Sequence, residues 1–278
     1  MILRPLGLAA LAGLAACGVS APTVVPDGDA GFDAGRDADA PQTIGSSPSW
    51  ARVAGDGTGQ LCDAIAIEAN GDVLIGGEFG GAIDLGGGIV VRATDGAVAN
   101  GFVVKLDEAG HARWARRFGG DGGGEQRVRA IAQSAEHGIV VGGFFSGSLD
   151  CGDTILVSAG GSDAFLALLD EDGATRRCVR FGDAEHQAIT GIALDPAGRI
   201  VVAGEAAGTI DLGGEPLVSA GGEDLFVATL DASLGHVWSE RFGAADEDRL
   251  PRLARAPSGR LALAGIYRDR IDLGGGPL

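Results

Sequence analysis

Short apolar runs broken by Gly, Asp and Asn recur along this chain in a constant order, and no stretch sustains a 3.6-residue period. One class is Ala64-Ile65-Ala66-Ile67, Ala130-Ile131-Ala132 and Gly191-Ile192-Ala193-Leu194. A second occupies residues 73–77, 139–143, 200–204 and 261–265, each ending in Gly-Gly or Ala-Gly. A third occupies 101–107, 164–170 and 225–231, with Phe second and Asp last. The fourth is Trp114-Ala115-Arg116-Arg117-Phe118-Gly119, echoed by Trp238-Ser239-Glu240-Arg241-Phe242-Gly243, with weaker copies at 50–55 and 177–182. Runs of this length, rich in β-branched residues and bounded by turn formers, predict strands. Asn70-Gly71 predicts a hairpin turn, because both residues tolerate positive φ. His137-Gly138, Ala197-Gly198 and Ser258-Gly259 take its place later. Asp107-Glu108-Ala109-Gly110 and Asp170-Glu171-Asp172-Gly173 make the next tight turn. The expectation is an all-β chain of four-stranded meanders with little helix.

The units repeat at long spacing. Ile83-Asp84-Leu85-Gly86-Gly87 returns around Asp150, Asp211 and Asp272, at intervals of 66, 61 and 61 residues. Four-stranded meanders repeated in this way point to a β-propeller. The arithmetic gives three full blades, the first two strands of a fourth, and a lone fourth-type strand at Trp50-Ala51-Arg52-Val53. About three and a half blades predict an open or incomplete ring with exposed strand edges, a liability that natural sheets avoid. The expectation is therefore that the intact protein continues through more units, or that a second chain supplies the edge. Residues 161–170, Gly191-Ile192-Ala193-Leu194-Asp195 and Arg199-Ile200-Val201-Val202-Ala203-Gly204 resemble the bacterial β-propeller repeat family. That family is usually described as seven-bladed, and its members are mostly secreted or surface proteins. The resemblance covers about residues 49–278; it implies the fold and is nearly silent on activity. Arg177, standing where the other units carry Trp, departs from the pattern.

The first sixteen residues form a separate segment. A basic residue, Arg4, precedes an apolar run at 6–16, too short to span a bilayer as a helix and suited to a signal peptide. The run ends in Leu14-Ala15-Ala16-Cys17, which resembles the bacterial lipobox. The resemblance implies cleavage before Cys17 and a diacylglyceryl group on its thiol, hence membrane anchoring through buried acyl chains. Gly18 rather than Asp follows the cysteine, which implies the outer membrane. Residues 17–49 then read as the lipidated cysteine and a solvated acidic tether, in which Asp27, Asp29, Asp33, Asp37 and Asp39 repel one another. A flexible tether of this length reaches roughly 30 Å. Asp27-Gly28-Asp29 opens like a calcium loop, but Gly31 and Ala38 stand where the fifth and twelfth ligands belong. Residues 50–278 carry the repeats.

Composition narrows the function classes. Gly makes up 50 of 278 residues, yet 45% of the chain is hydrophobic, enough to build a core and exclude wholesale disorder. The net charge of −17, from 38 acidic against 21 basic residues, excludes a nucleic-acid binder with a basic stripe. His111, His137, His186 and His236 stand apart from one another and from any metal-ligand spacing. There is no Gly-x-Ser-x-Gly elbow, and the Gly-rich run at 119–124 lacks the Lys-Ser/Thr of a phosphate loop. Asp84, Asp150, Asp211 and Asp272 sit at Gly-rich turns, where a carboxylate bonds its own backbone. After Cys17, an odd number of cysteines remains: Cys62, Cys151 and Cys178. A disulfide between Cys151 and Cys178, in one unit, is open to an oxidising envelope.

The long second-to-third connections and the fourth-to-first connections fall on one face of such a meander array. That face collects Asp121, Glu125, Asp183, Glu185, Asp246, Glu247 and Asp248, and loops on a rigid scaffold concentrate binding. It would suit Ca²⁺, another cationic ligand or a basic protein patch, or it serves only to solvate a crowded surface. The expectation is a lipid-anchored cell-envelope interaction or scaffold protein with an unidentified protein or glycan partner, no cofactor and no catalytic constellation. The alternative is a glycan-degrading or metal-assisted hydrolase that works at the acidic face.

Overall fold

A computed structural model describes residues 14–16, 50–120, 123–134, 137–195, 197–256, 259–273, 276 and 278; Cys17, the tether and Asp121 lie outside these. Every element among the described residues is a strand. Leu14–Ala16 pairs in parallel with Ala51–Val53. Three antiparallel four-stranded sheets and a last two-stranded one then follow in chain order, each four-stranded sheet carrying a small two-stranded hairpin. The first sheet holds Gln60–Ile67, Val73–Phe79, Asn100–Leu106 and Ala112–Phe118. The second holds Gln126–Ser134, Gly138–Phe145, Asp163–Leu169 and Thr175–Phe181. The third holds Gln187–Leu194, Ile200–Ala206, Asp224–Leu230 and His236–Phe242. Arg249–Arg255 and Leu261–Ile266 form the last pair, and the described strands close no ring.

The sheets stack face to face, and the first strand of each touches the first strand of the next. The core lies between them. Val128 and Ile131 of the second sheet cluster with Leu74, Val103 and Phe118 of the first; Ile189 and Ile192 of the third do the same with Val140 and Leu166 of the second. Gly76 and Gly142 make the notches that receive these side chains, since a Cβ at either would run into them. The second and third strands are buried almost throughout, which is why they read as continuous apolar runs rather than alternating ones. The fourth strands are half-exposed and carry the charge.

Each first strand carries a β-bulge, at Asp63, Arg129 and Thr190 in the three sheets. A bulge re-aims a side chain, and here it aims a polar one at the next sheet. Asp63 accepts from Nε and Nη2 of Arg127 at 2.7 and 2.9 Å, Arg129 approaches Glu205 at 3.5 Å, and Thr190 Oγ1 donates to the Pro251 carbonyl at 2.6 Å. The outer rim repeats a different link. Trp50 Nε1 donates to Glu108 O at 2.9 Å and Trp114 Nε1 to Glu171 O at 2.8 Å, each from one fourth-strand phrase to the turn of the following sheet.

The long second-to-third connections are not featureless loops. Each folds into a small hairpin, Ala82–Asp84 with Val90–Arg92, Ser148–Asp150 with Ile155–Val157, and Thr209–Ile210 with Leu217–Val218. Strands of two or three residues fall below any periodic signal. Asp84, Asp150 and Asp211 each accept the backbone N–H two residues on, at 2.7–2.8 Å, as turn-forming carboxylates do. Cys151 and Cys178 are joined by a disulfide that ties the second hairpin to its sheet's fourth strand, with Cα atoms 6.3 Å apart.

The position that opens each third strand shows how the junctions differ. In the first sheet it is Asn100, buried, whose Oδ1 accepts Thr94 N at 2.6 Å while Nδ2 donates to Gln126 Oε1 at 2.7 Å. Asp163 and Asp224 fill the same place. Each Oδ2 accepts a backbone N–H, from Ala159 or Ala220, and pairs with Arg180 or Arg241 at 2.9 and 2.7 Å. Each Oδ1 is buried with no hydrogen-bond partner among the described residues. Asp224 Oδ1 and Asp248 Oδ2 both lie against Gly243, and the Asp248 oxygen accepts Ala244 N at 3.4 Å. Asp224→Asn supplies the N–H that Asn100 already provides and keeps the acceptor for Ala220. The variant should gain about 1 kcal/mol in urea denaturation at neutral pH. A loss of stability would show that the Arg241 ion pair outweighs the orphaned oxygen.

Candidate functional site

The strand-connecting segments meet on the face that the sequence marks as loop-bearing. The segment entering a third strand runs beside the one entering the next sheet's first strand. Ala99 bridges Glu125 in parallel, and Ser162 bridges His186. Gln126 N donates to Ala99 O at 3.0 Å, Gln187 N to Ser162 O at 2.7 Å and Asp248 N to Glu223 O at 2.6 Å, so Glu223 and Glu247 hold the third such pair. The backbone thus builds three equivalent slots, and the side chains make them chemically different.

The first slot is a carboxylate cluster held by arginine. Glu78 lies beside Glu125; burial pushes the Glu78 carboxyl above the ordinary glutamate range, Arg127 at 3.3 Å opposes this, and the neighbouring Glu125 adds to it. Asp63 binds the same guanidinium. In the third slot, Glu223 pairs with Arg249, whose Nη2 also meets Glu247 at 3.1 Å, while Glu205 Oε2 accepts Leu250 N at 2.6 Å. The second slot holds different groups. Ser162 Oγ hydrogen-bonds His186 Nδ1. His186 Nε2 lies 3.6 Å from Glu223 Oε1, and Phe144 packs edge-on against the imidazole with ring centres 5.6 Å apart.

The seven acidic residues read from sequence divide by what they touch. Asp121 lies outside the described residues. Glu125, Glu185, Asp246 and Glu247 are on the loop face, half-buried or exposed. Asp183 and Asp248 are turned inward. Asp183 accepts Glu185 N at 2.9 Å, Thr209 N at 2.6 Å and Gln187 Nε2 at 2.7 Å. Burial pushes its carboxyl up, but these donors prevail and hold it below the ordinary range. Asp56 plays the same part in the first sheet, where Thr58 and Ala82 hold its pKa down to about 2. Asp248 is fully buried and accepts Arg268 N at 2.9 Å. Arg127, Arg129, Arg249 and Arg252 interleave with the acids, so the face is mixed rather than uniformly negative. Among the described residues no group of three or more His, Cys, Asp or Glu side chains is arranged to hold a metal ion.

Sequence reasoning missed Ser162, His186 and Glu223 as a group, because they lie in three connections. Aligning the connections by repeat exposes them: His186 stands in a column otherwise filled by Glu125 and Glu247, and Ser162 in one that holds Ala99 and Glu223. No protein-family model matches the chain, and no curated protein matches it either.

Proposed function

We propose that this chain is a lipid-anchored envelope protein that holds a β-propeller-type array out from the membrane as an interaction scaffold. In this reading the sheets are blades, their first strands line the axis, and three and a half blades are present. The contact of each first strand with the next supports that arrangement. The lipobox-like Leu14-Ala15-Ala16-Cys17 and the acidic segment after it support the anchor and tether, and Gly18 after the cysteine favours the outer membrane.

One observation carries the interaction role. Ile65 is 58% exposed, whereas Ile131 and Ile192, at the same position of the second and third sheets, are each 8% exposed under the preceding sheet. Leu61 and Ile67 beside Ile65 are exposed too. Among the described residues, the first sheet therefore presents uncovered the apolar surface that its successors bury. Covering such a side chain is worth about 1.5–3 kcal/mol, so a partner with a matching apolar sheet face gains strongly there.

Two measurements test the reading. Cys17→Ser should abolish metabolic labelling by fatty acid and release the protein from membranes; unchanged labelling and fractionation would remove the anchor. Light scattering on the soluble Cys17→Ser chain should show self-association or capture of a partner sheet, and Ile65→Glu should suppress it. A parent chain and an Ile65→Glu variant that are equally monomeric and bind equally little would remove the docking face.

A further inference from the structure

We propose that Ser162 is an acyl-accepting nucleophile, with His186 as its general base and Glu223 as the residue that positions the base, and that this slot hydrolyses carboxylic esters. The hydroxyl is hydrogen-bonded to Nδ1 of the imidazole. Glu223 Oε1, 3.6 Å from Nε2, favours the tautomer that carries its proton on Nε2. The Nδ1 lone pair is then left facing the serine O–H. Nucleophile, base and orienting group stand in the order that activates a serine. Contacts of this kind are often long without substrate and tighten when it binds. All three residues are half-buried, and the His186 side chain keeps 34% of its surface exposed. Phe144 restricts the imidazole from the side.

The repeat supplies an internal control. Ala99 and Glu125 fill the Ser162 and His186 positions in the first junction, and Glu223 and Glu247 fill them in the third. The fold closes both of those junctions without serine or histidine at these two positions. Packing therefore does not demand the pair at the second junction, and its chemistry needs another reason.

The reaction balances with the groups present and water. Oγ bonds the ester carbonyl carbon as its proton passes to His186 Nδ1. Collapse of the tetrahedral adduct breaks the bond to the alkoxide, which leaves as the alcohol with the proton from Nδ1. Water, deprotonated by the same nitrogen, then releases the carboxylic acid and restores Ser162. Glu185, Glu223 and Glu247 lie beside the slot, and Arg249 pairs with the last two, so neutral esters suit it.

The test uses the full chain carrying Cys17→Ser, a fluorophosphonate probe and p-nitrophenyl acetate. Peptide mapping should place the phosphonyl label on Ser162. Ser162→Ala installs the residue found at Ala99 and should abolish both labelling and ester hydrolysis. His186→Glu installs the residue found at Glu125 and should slow labelling about 100-fold. Glu223→Gln should keep the label on Ser162 but slow labelling, and Glu223→Asp should restore part of the rate. Loss of packing alone would not be rescued by the shorter carboxylate. A label on another serine, no label on the folded parent, or an unchanged rate in Ser162→Ala would overturn the proposal. Should a variant melt early, the mapped position in the parent chain decides the matter.

Discussion

Gly143→Ala should cost more than about 4 kcal/mol in urea denaturation, in the range reserved for severe core lesions, and Gly143→Val should not fold. Gly143 lies mid-strand in the second sheet, opposite the bulge where the register shifts between Gly142 and Gly143. A Cβ there would overlap the carbonyl oxygen of Arg127 and press on the Phe165 ring. The oxygen is backbone and cannot swing aside. Gly77 meets Leu61 O in the same way, and Gly204 meets Ala188 O. The close approach, not φ, fixes the residue: the bulge draws the first strand's carbonyl over the α-carbon of the second. Gly142 is the control. A Cβ there meets side-chain rather than backbone atoms first, those of Ile189 and Ile192, and the third sheet carries Ala203 at that place. Gly142→Ala should cost about 1–3 kcal/mol, the range for modest overpacking. If Gly143→Ala proved no more destabilising than Gly142→Ala, the close approach would not be what excludes a side chain.

That contrast also shows what the chain made legible. Gly-Gly, Gly-Gly, Ala-Gly and Ala-Gly end the second-strand runs, so the invariant second glycine announced a local constraint before its cause was visible. Strands, turns and repeat length were readable because each uses a signal that recurs: buried runs bounded by turn formers, an Asp that bonds its own backbone at Asp84, Asp150 and Asp211. The hairpin of Ser148–Asp150 with Ile155–Val157 was not readable, because three residues carry no period. Charge alone misjudged what some acids do. Asp183 and Asp248 look like surface ligands in a linear run, yet the backbone N–H groups of Glu185, Thr209 and Arg268 need acceptors and claim them. Ser162, His186 and Glu223 were illegible for the opposite reason. Nothing in the sequence joins them; only the parallel pairing of two connections and the stacking of the third sheet bring them together.

Lys105→Met should cost about 3–5 kcal/mol, the penalty for removing one member of a buried charge cluster and stranding the rest. Lys105 is the chain's only lysine. The fold places it inside the junction of the first two sheets. Its ammonium lies 2.9 Å from Glu68, 2.7 Å from Glu171 of the second sheet and 3.9 Å from Asp72. Methionine keeps the apolar stem but leaves the buried Glu68 carboxylate without its cation and Asp72 with Arg113 alone, at 3.0 Å. Burial pulls the Lys105 ammonium towards neutrality, but Glu171 and Glu68 prevail and hold its pKa above the ordinary 10.5. Its contribution is therefore complete below that value and lost as pH rises through the raised one. Lys105 in turn holds the Glu171 carboxyl below its ordinary 4.5, so that share is present above 4.5 and lost as pH falls through the lowered value. The gap between parent and variant should be widest at neutral pH and narrow towards both extremes. Glu68→Gln in the Lys105→Met background should recover part of the loss, a coupling that a double-mutant cycle reads directly. A variant within about 1 kcal/mol of the parent at neutral pH, with a parallel pH curve, would mean that the cluster acts as a solvated surface network and does not bind the two sheets.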